Sequence, residues 1–97
     1  MKIRVMSEAH LDLAKGTLFY DTQSQGLGTK FLNAMESAIE SLLKFAGMHA
    51  RDNGYHRMLV RKFPFAVYYR MVDDVIEVVA VIDCRRDPEW IARRLDR

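Results

Sequence analysis

The stretch from Tyr55 to Asp83, YHRMLVRKFPFAVYYRMVDDVIEVVAVID, narrows the folds open to this chain more than any other. It is dense in Val, Ile, Tyr and Phe, the residues that fit a pleated, half-buried surface. Pro64 cannot donate to a strand ladder and so marks a strand boundary. Asp73-Asp74 has the length and polarity of a hairpin connection. Three consecutive strands are predicted, over His56–Phe63, Phe65–Val72 and Val75–Ile82, forming an antiparallel meander. Successive side chains of a strand point to opposite faces. Arg57, Leu59 and Arg61 therefore share one face of the first strand, and Met58 and Val60 the other. In the last strand Ile76, Val78, Ala80 and Ile82 form an unbroken apolar face, expected to be the core face. Glu77, Val79 and Val81 point the other way and are still mostly apolar, so that side is expected to be partly covered. The run ends in Cys84-Arg85-Arg86-Asp87-Pro88-Glu89-Trp90, which places two arginines and a Trp at the end of a rigid strand.

The apolar face needs a cover, and the preceding residues supply helices. Lys2–Met6 alternates and is predicted as a first strand. Ser7 suits an N-cap, with Glu8 in the first turn where the helix dipole favours an acid. The first helix is predicted from Glu8 to about Thr22, with Leu11, Ala14, Leu18 and Phe19 as its apolar stripe and Gly16 as a weak point. Ser24–Gly28 reads as a tight turn; its Gly-Leu-Gly is too short for a nucleotide fingerprint and no strand precedes it. The second helix is predicted from about Gly28 to Ala46. Its stripe is Phe31, Met35, Ala38, Leu42 and Phe45, and Gly47 sits where a left-handed cap belongs. A connection this short makes the two helices an antiparallel hairpin. Met48–Gly54 reads as a polar loop. Asp87-Pro88 is a helix start, so a terminal helix is predicted over Pro88–Leu95, anchored to the sheet by Trp90. The expected fold class is α+β, in the order β-α-α-β-β-β-α.

The 97 residues, 49% apolar and 29% charged, suit a single globular domain over 1–97 with one core. No apolar run approaches the roughly 20 residues of a membrane helix, and no signal peptide or membrane partner is expected. Cys84 is the only cysteine, which excludes an intramolecular disulfide and makes a reducing cytoplasm the expected location. The net charge of +2 conceals an asymmetry. Glu8, Asp12, Asp21, Glu36 and Glu40 dominate the helices, whereas Arg51, Arg57, Arg61, Lys62 and Arg70 mark the sheet, and Arg85, Arg86, Arg93, Arg94 and Arg97 the tail. Such a distribution suits an anionic partner, either a nucleic acid or an acidic protein segment; an ordinary solvated strand and helix surface accounts for it about equally well.

Chemistry-bearing patterns are few. His10, His49 and His56 have no metal-ligand spacing, and no metal or other cofactor is expected. Nucleophile-elbow and Cys-His signatures are absent. Arg85 and Arg86 beside Cys84 could lower its pKa, but a small residue in a strand-end turn is the preferred reading of Cys84. The remaining constellation is Arg57, Arg61, Lys62, Arg70, Arg85 and Arg86 interleaved with Tyr68, Tyr69 and Trp90. Arginines among aromatics suit phosphates and unstacked bases, or else are core aromatics with solvated cations.

The chain resembles the RelE/ParE superfamily of toxins from type II toxin-antitoxin systems, most closely its ParE-like plasmid stabilisation branch. Phe19-Tyr20-Asp21 to Gly26-Leu27-Gly28, Phe31 and Glu36 carry the match. So do Arg57, the block Arg61-Lys62-Phe63-Pro64-Phe65-Ala66-Val67-Tyr68-Tyr69-Arg70, Val79-Ala80-Val81, and Arg85-Arg86-Asp87-Pro88 with Trp90. The resemblance covers almost the whole chain. It implies a helical hairpin on a small antiparallel sheet, growth arrest on expression, and a cognate antitoxin protein as partner. ParE-like members inhibit DNA gyrase by binding it; here Arg57, Arg61, Arg85, Arg86 and Trp90 would form the target-binding set. RelE-like members cut mRNA on the ribosome without a metal, and for that alternative the resemblance would nominate Arg57, Arg61, Arg86 and His56. The nuclease pattern has a basic residue early in the second meander strand, where Ala66 stands, and a terminal Tyr or His, where Trp90 is the nearest aromatic. Trp has no titratable group and cannot act as general acid or base. The resemblance therefore favours gyrase inhibition, with the ribosome-dependent ribonuclease and a non-toxic antitoxin-binding module as alternatives.

Overall fold

The computed structural model describes residues 1–96. The elements are β1 (Lys2–Val5), α1 (Ser7–Gln23), α2 (Leu27–Glu40), α3 (Leu42–Phe45), β2 (Arg51–Asp52), β3 (Tyr55–Val60), β4 (Phe65–Val72), β5 (Val75–Asp83) and α4 (Pro88–Leu95). One five-stranded sheet has the order β1-β5-β4-β3-β2. β1 runs parallel to β5, with Lys2 beside Val75 and Val5 beside Val78. The other pairs are antiparallel. The α+β class, the helical hairpin, the meander and the terminal helix are those expected.

α1 begins at Ser7 itself, with Met6 at the N-cap and no side-chain cap, instead of being capped by Ser7; three further boundaries differ from expectation, each for a local reason. Met48–Gly54 is not all loop: Arg51–Asp52 pairs with β3 through an Asn53-Gly54 turn whose two residues have φ of 55° and 84°. Asn-Gly with both φ positive is the favoured two-residue hairpin turn. β3 ends at Val60 instead of Phe63, because Arg61–Pro64 forms a turn closed by Phe65 N–H donating to Phe63 O at 2.7 Å. The helix expected from Gly28 to Ala46 breaks at Ser41, whose hydroxyl donates to Ala38 O. A serine that bonds back to the preceding turn bends a helix in this way. As a result Leu42 stays buried, whereas Phe45 is 47% exposed rather than part of the stripe.

The apolar stripe expected on α1 is also corrected. Leu11, Leu18 and Phe19 are each more than half exposed, and Ala14 is exposed too. The buried residues are Ala9, Leu13 and Gly16. Gly16 is a contact point, not a weakness: a Cβ there would lie 2.5 Å from ring carbons of Phe31. Gly28 plays the reciprocal part on α2, where a Cβ would lie 2.4 Å from Thr17 O. Its N–H donates to Asp21 Oδ1 at 2.8 Å. The two glycines let the helices cross closely.

A bulge decides which side chains of β5 face the hairpin. Tyr68 pairs with Ala80 and Tyr69 with Val78, so Val79 is the extra residue on β5. Alternation restarts there. Ile76, Val78 and Val81 pack with the hairpin, while Val79, Ala80 and Ile82 join the cluster beneath α4. The single face expected for Ile76, Val78, Ala80 and Ile82 is therefore split between the two sides of the sheet.

Candidate functional site

α4 lies on the face opposite the hairpin, with Trp90, Ile91 and Leu95 packed on Tyr55, Ala66, Tyr68, Val79, Ala80 and Ile82. Asp87 accepts from Glu89 N–H at 3.1 Å and caps the helix that Pro88 begins. A short, well-capped helix thus holds Trp90 at the end of β5, as expected.

Arg57 enters this face from β3, opposite Tyr68. Its Nε donates to the Tyr68 hydroxyl at 3.2 Å and its Nη2 approaches Cys84 Sγ at 3.7 Å. Burial opposes the Arg57 charge, but the Tyr68 hydroxyl, with Cys84 and Asp52 nearby, raises its pKa above the usual value. The same burial raises the Tyr68 pKa. Arg85 forks onto Asp83, at 3.0 Å from Nε and 2.7 Å from Nη2. That hydrogen bond holds the Asp83 carboxyl below its usual pKa. Arg86 stacks on Trp90, its Cζ 4.2 Å from the ring centroid. Arg57 is thus held beside Cys84 and Arg86 lies on Trp90, whereas Arg85 turns to Asp83, which pairs with Phe65 of the hairpin side.

Arg61 and His56 lie elsewhere. Arg61 is exposed in the β3–β4 turn, off the strand face it was expected to share with Arg57. His56 pairs with Tyr69, a hairpin-side residue, and stacks on its ring with centroids 5.0 Å apart. His56 Nδ1–H donates to His49 O at 2.8 Å. The Tyr69 hydroxyl donates to His49 Nδ1 at 2.5 Å while accepting from Gly47 N–H at 2.9 Å. This arrangement requires a neutral His49, and burial, with His56 nearby, lowers its pKa. Both imidazoles use Nδ1 to pin the loop before β2.

Three further residues complete the region and were not singled out from the sequence. β1 ends at Val5, so the edge of β5 beyond Val78 has no strand partner. Asp12 of α1 takes its place: its Oδ2 accepts from Val81 N–H at 2.9 Å and from Arg94 Nη2 at 2.9 Å. Burial raises the Asp12 pKa, against the pull of those two donors. Arg94 Nη1 is buried without a hydrogen-bond partner among the described residues. Lys15, one turn on from Asp12, completes the rim. Asp12 was detectable in principle, since it sits beside Leu13 on the buried side of α1. Together α1, the free edge of β5 and α4 enclose a cleft of about 440 Å3, walled by Phe19, Phe65 and Trp90.

Among the described residues no group of three or more His, Cys, Asp or Glu side chains could hold a metal ion, and no helix is long and apolar enough to cross a membrane. Arginines stay protonated at any physiological pH. These cations can hold and orient anions, and proton transfer would have to come from other groups.

No family model and no curated protein matches the chain at a significant level. Among solved structures, a chain described as "Chromosomal ParDE TA system from P. aeruginosa" superposes with a TM-score of 0.78 at 15% identity, over 86% of this chain and 95% of that chain. The element order and the helical hairpin agree with that superposition, and the two chains share one fold.

Proposed function

We propose that this chain is the toxin of a type II toxin-antitoxin system, acting by binding DNA gyrase and neutralised by a cognate antitoxin. The observation that carries the reading is the superposition, over nearly the full length of both chains, on a chain from a ParDE system. The character of the surface supports it in two ways. The outer side of the helical hairpin leaves Leu18 and Leu43 more than half exposed beside a groove of about 950 Å3 that half-buried Leu32 and buried Ile39 also line. An amphipathic antitoxin helix would bury such a groove. At the other end, Arg57 and Arg86 with Trp90 form the kind of arginine and aromatic cluster that dominates binding energy at interfaces.

The distribution of acid-base groups favours binding over RNA cleavage. Cleavage next to a 2′-hydroxyl needs one group to take its proton and another to protonate the leaving oxygen. His56 and His49 are the imidazoles near the sheet, yet both are engaged through Nδ1, and His56 stacks on a hairpin-side tyrosine. Arg57 stands on the other side of the sheet. Expression of the chain should arrest growth, and co-expression with its antitoxin should relieve it. The purified chain should block gyrase supercoiling. Arg86→Ala should abolish arrest at normal expression, and His56→Ala should remain toxic. Codon-positioned cuts in primer extension that vanish in His56→Ala would establish the ribonuclease in its place.

A further inference from the structure

The cleft between α1, the free edge of β5 and α4 has a composition that selects a ligand. Two carboxylates line it, and each is already paired: Asp12 with Arg94 at 2.9 Å and Asp83 with Arg85 at 2.7 Å. Lys15 and Arg86 also line it and belong to no ion pair among the described residues. The lining thus carries three cations against two carboxylates, and Lys15 and Arg86 are the two cations left without an ion-pair partner. Arg94 Nη1 adds a buried N–H donor that is not used by the described residues. The remaining wall is apolar and aromatic: Phe65 is buried, Trp90 is half-buried under Arg86, and Phe19 is 51% exposed at the rim.

We propose that this cleft binds a nucleoside monophosphate, with the phosphate held by Lys15 and Arg86 and the base against the exposed ring of Phe19, near Trp90. A phosphomonoester carries a charge of about −1.5 to −2 near neutral pH and so matches the two unpaired cations, whereas a carboxylate would satisfy only one. Arginine meets phosphate through two parallel N–H donors, and Arg86 is oriented by its stacking on Trp90. The aromatic wall is wasted on a bare anion but suits a base, because every base presents a π-face to stack. The volume of about 440 Å3 falls among small-molecule sites, which span about 300–1,000 Å3. The open position exists because β1 is short: a longer β1 would pair with the β5 edge and fill the space. The inference does not depend on the toxin reading.

Trp90 is the only tryptophan in the chain, so intrinsic fluorescence reports this cleft directly. Titrating the purified chain with adenosine monophosphate should give a saturable change in emission. Adenosine and inorganic phosphate should each bind at least about tenfold more weakly, since each offers only half of the contacts. Arg86→Gln should weaken the monophosphate about tenfold, as expected for the loss of a hydrogen bond from a charged donor, and Lys15→Gln should weaken it several-fold. Lys44→Gln, on the exposed part of α3, should change nothing. Melting temperatures of the variants within a degree or so of the parent would show that the fold is kept. The proposal is overturned if emission does not saturate with adenosine monophosphate, if phosphate alone binds as tightly, or if Lys44→Gln weakens binding as much as Lys15→Gln does. The last two outcomes would reveal, respectively, a simple anion site and unspecific attraction to a basic surface. None of these readouts involves growth arrest or gyrase, so failure here leaves the toxin reading standing, and the converse holds.

Discussion

The two faces of the sheet are built on different principles. The hairpin face is a broad apolar core in which Phe31 stacks against Tyr20, Phe63 and Phe65 at centroid distances of 5.1, 5.3 and 4.9 Å. The α4 face is a narrow core threaded with polar contacts: Arg57 to Tyr68, Asp12 to Val81 and Arg94, Arg86 over Trp90. Burial of apolar area stabilises roughly in proportion to its extent. The hairpin face therefore carries the larger share of stability, and the α4 face can hold charged groups whose replacement costs the fold little.

Mutations can break or sharpen that contrast. Phe31→Ala should cost about 3–5 kcal/mol in urea unfolding, because it empties the centre of the aromatic cluster. Trp90→Ala should cost less than half of the same measurement; equal costs would erase the distinction between the faces. Gly28→Ala should destabilise by about 1–3 kcal/mol, since the new methyl meets a backbone carbonyl that cannot swing away. On the α4 side, Tyr68→Phe should cost about 0.5–1.5 kcal/mol by leaving Arg57 Nε without its acceptor. Arg85→Ala should leave the melting temperature unchanged, as an exposed pair with Asp83 contributes little.

The pH dependence should also differ between the faces. On the hairpin side, His49 has a folded pKa below its unfolded value of about 6.5. The unfolded chain then binds more protons at acidic pH, so the contribution of His49 is complete above about pH 6.5 and declines below it. Urea midpoints between neutral pH and about 5.5 should fall, and His49→Gln should flatten the decline. At the free edge of β5, where α1 meets α4, Asp12 works in the opposite sense. Its raised folded pKa means that the native state holds the proton more readily, so its own contribution improves as pH enters the carboxylate range.

What the sequence disclosed followed the reach of its signals. The meander, the cap at Asp87-Pro88 and the hairpin stripe around Phe31 and Met35 are local patterns, and they were legible. Asn53-Gly54 is an equally local hairpin signal that the polar composition of Met48–Gly54 obscured. The stripe of α1 was misjudged because apolar residues stand on both of its sides, and only the approach of Phe31 to Gly16 identifies the buried one. The bulge at Val79 leaves no mark in an unbroken apolar run, so the phase of β5 could not be counted through it. In the candidate site, Arg57, Arg85, Arg86 and Trp90 could be named from their types and neighbours. Asp12 and Arg94 stand at opposite ends of the chain, and the pairing that makes them matter depends on where β1 stops. Arg61 and His56 were misplaced for a related reason, since one turn residue or one step of alternation decides the face.

The parallel pairing of β1 with β5 also dictates an order of events. β1 has as its neighbour β5, the last of the five strands in chain order. Contacts so distant along the chain close late, because the entropy of the intervening loop must be overcome first. Until Val75–Val78 emerges, the N-terminal strand has no ladder to join, and Asp12 has no edge to seal. The arginine-bearing end of the sheet is therefore assembled only after all five strands have been made.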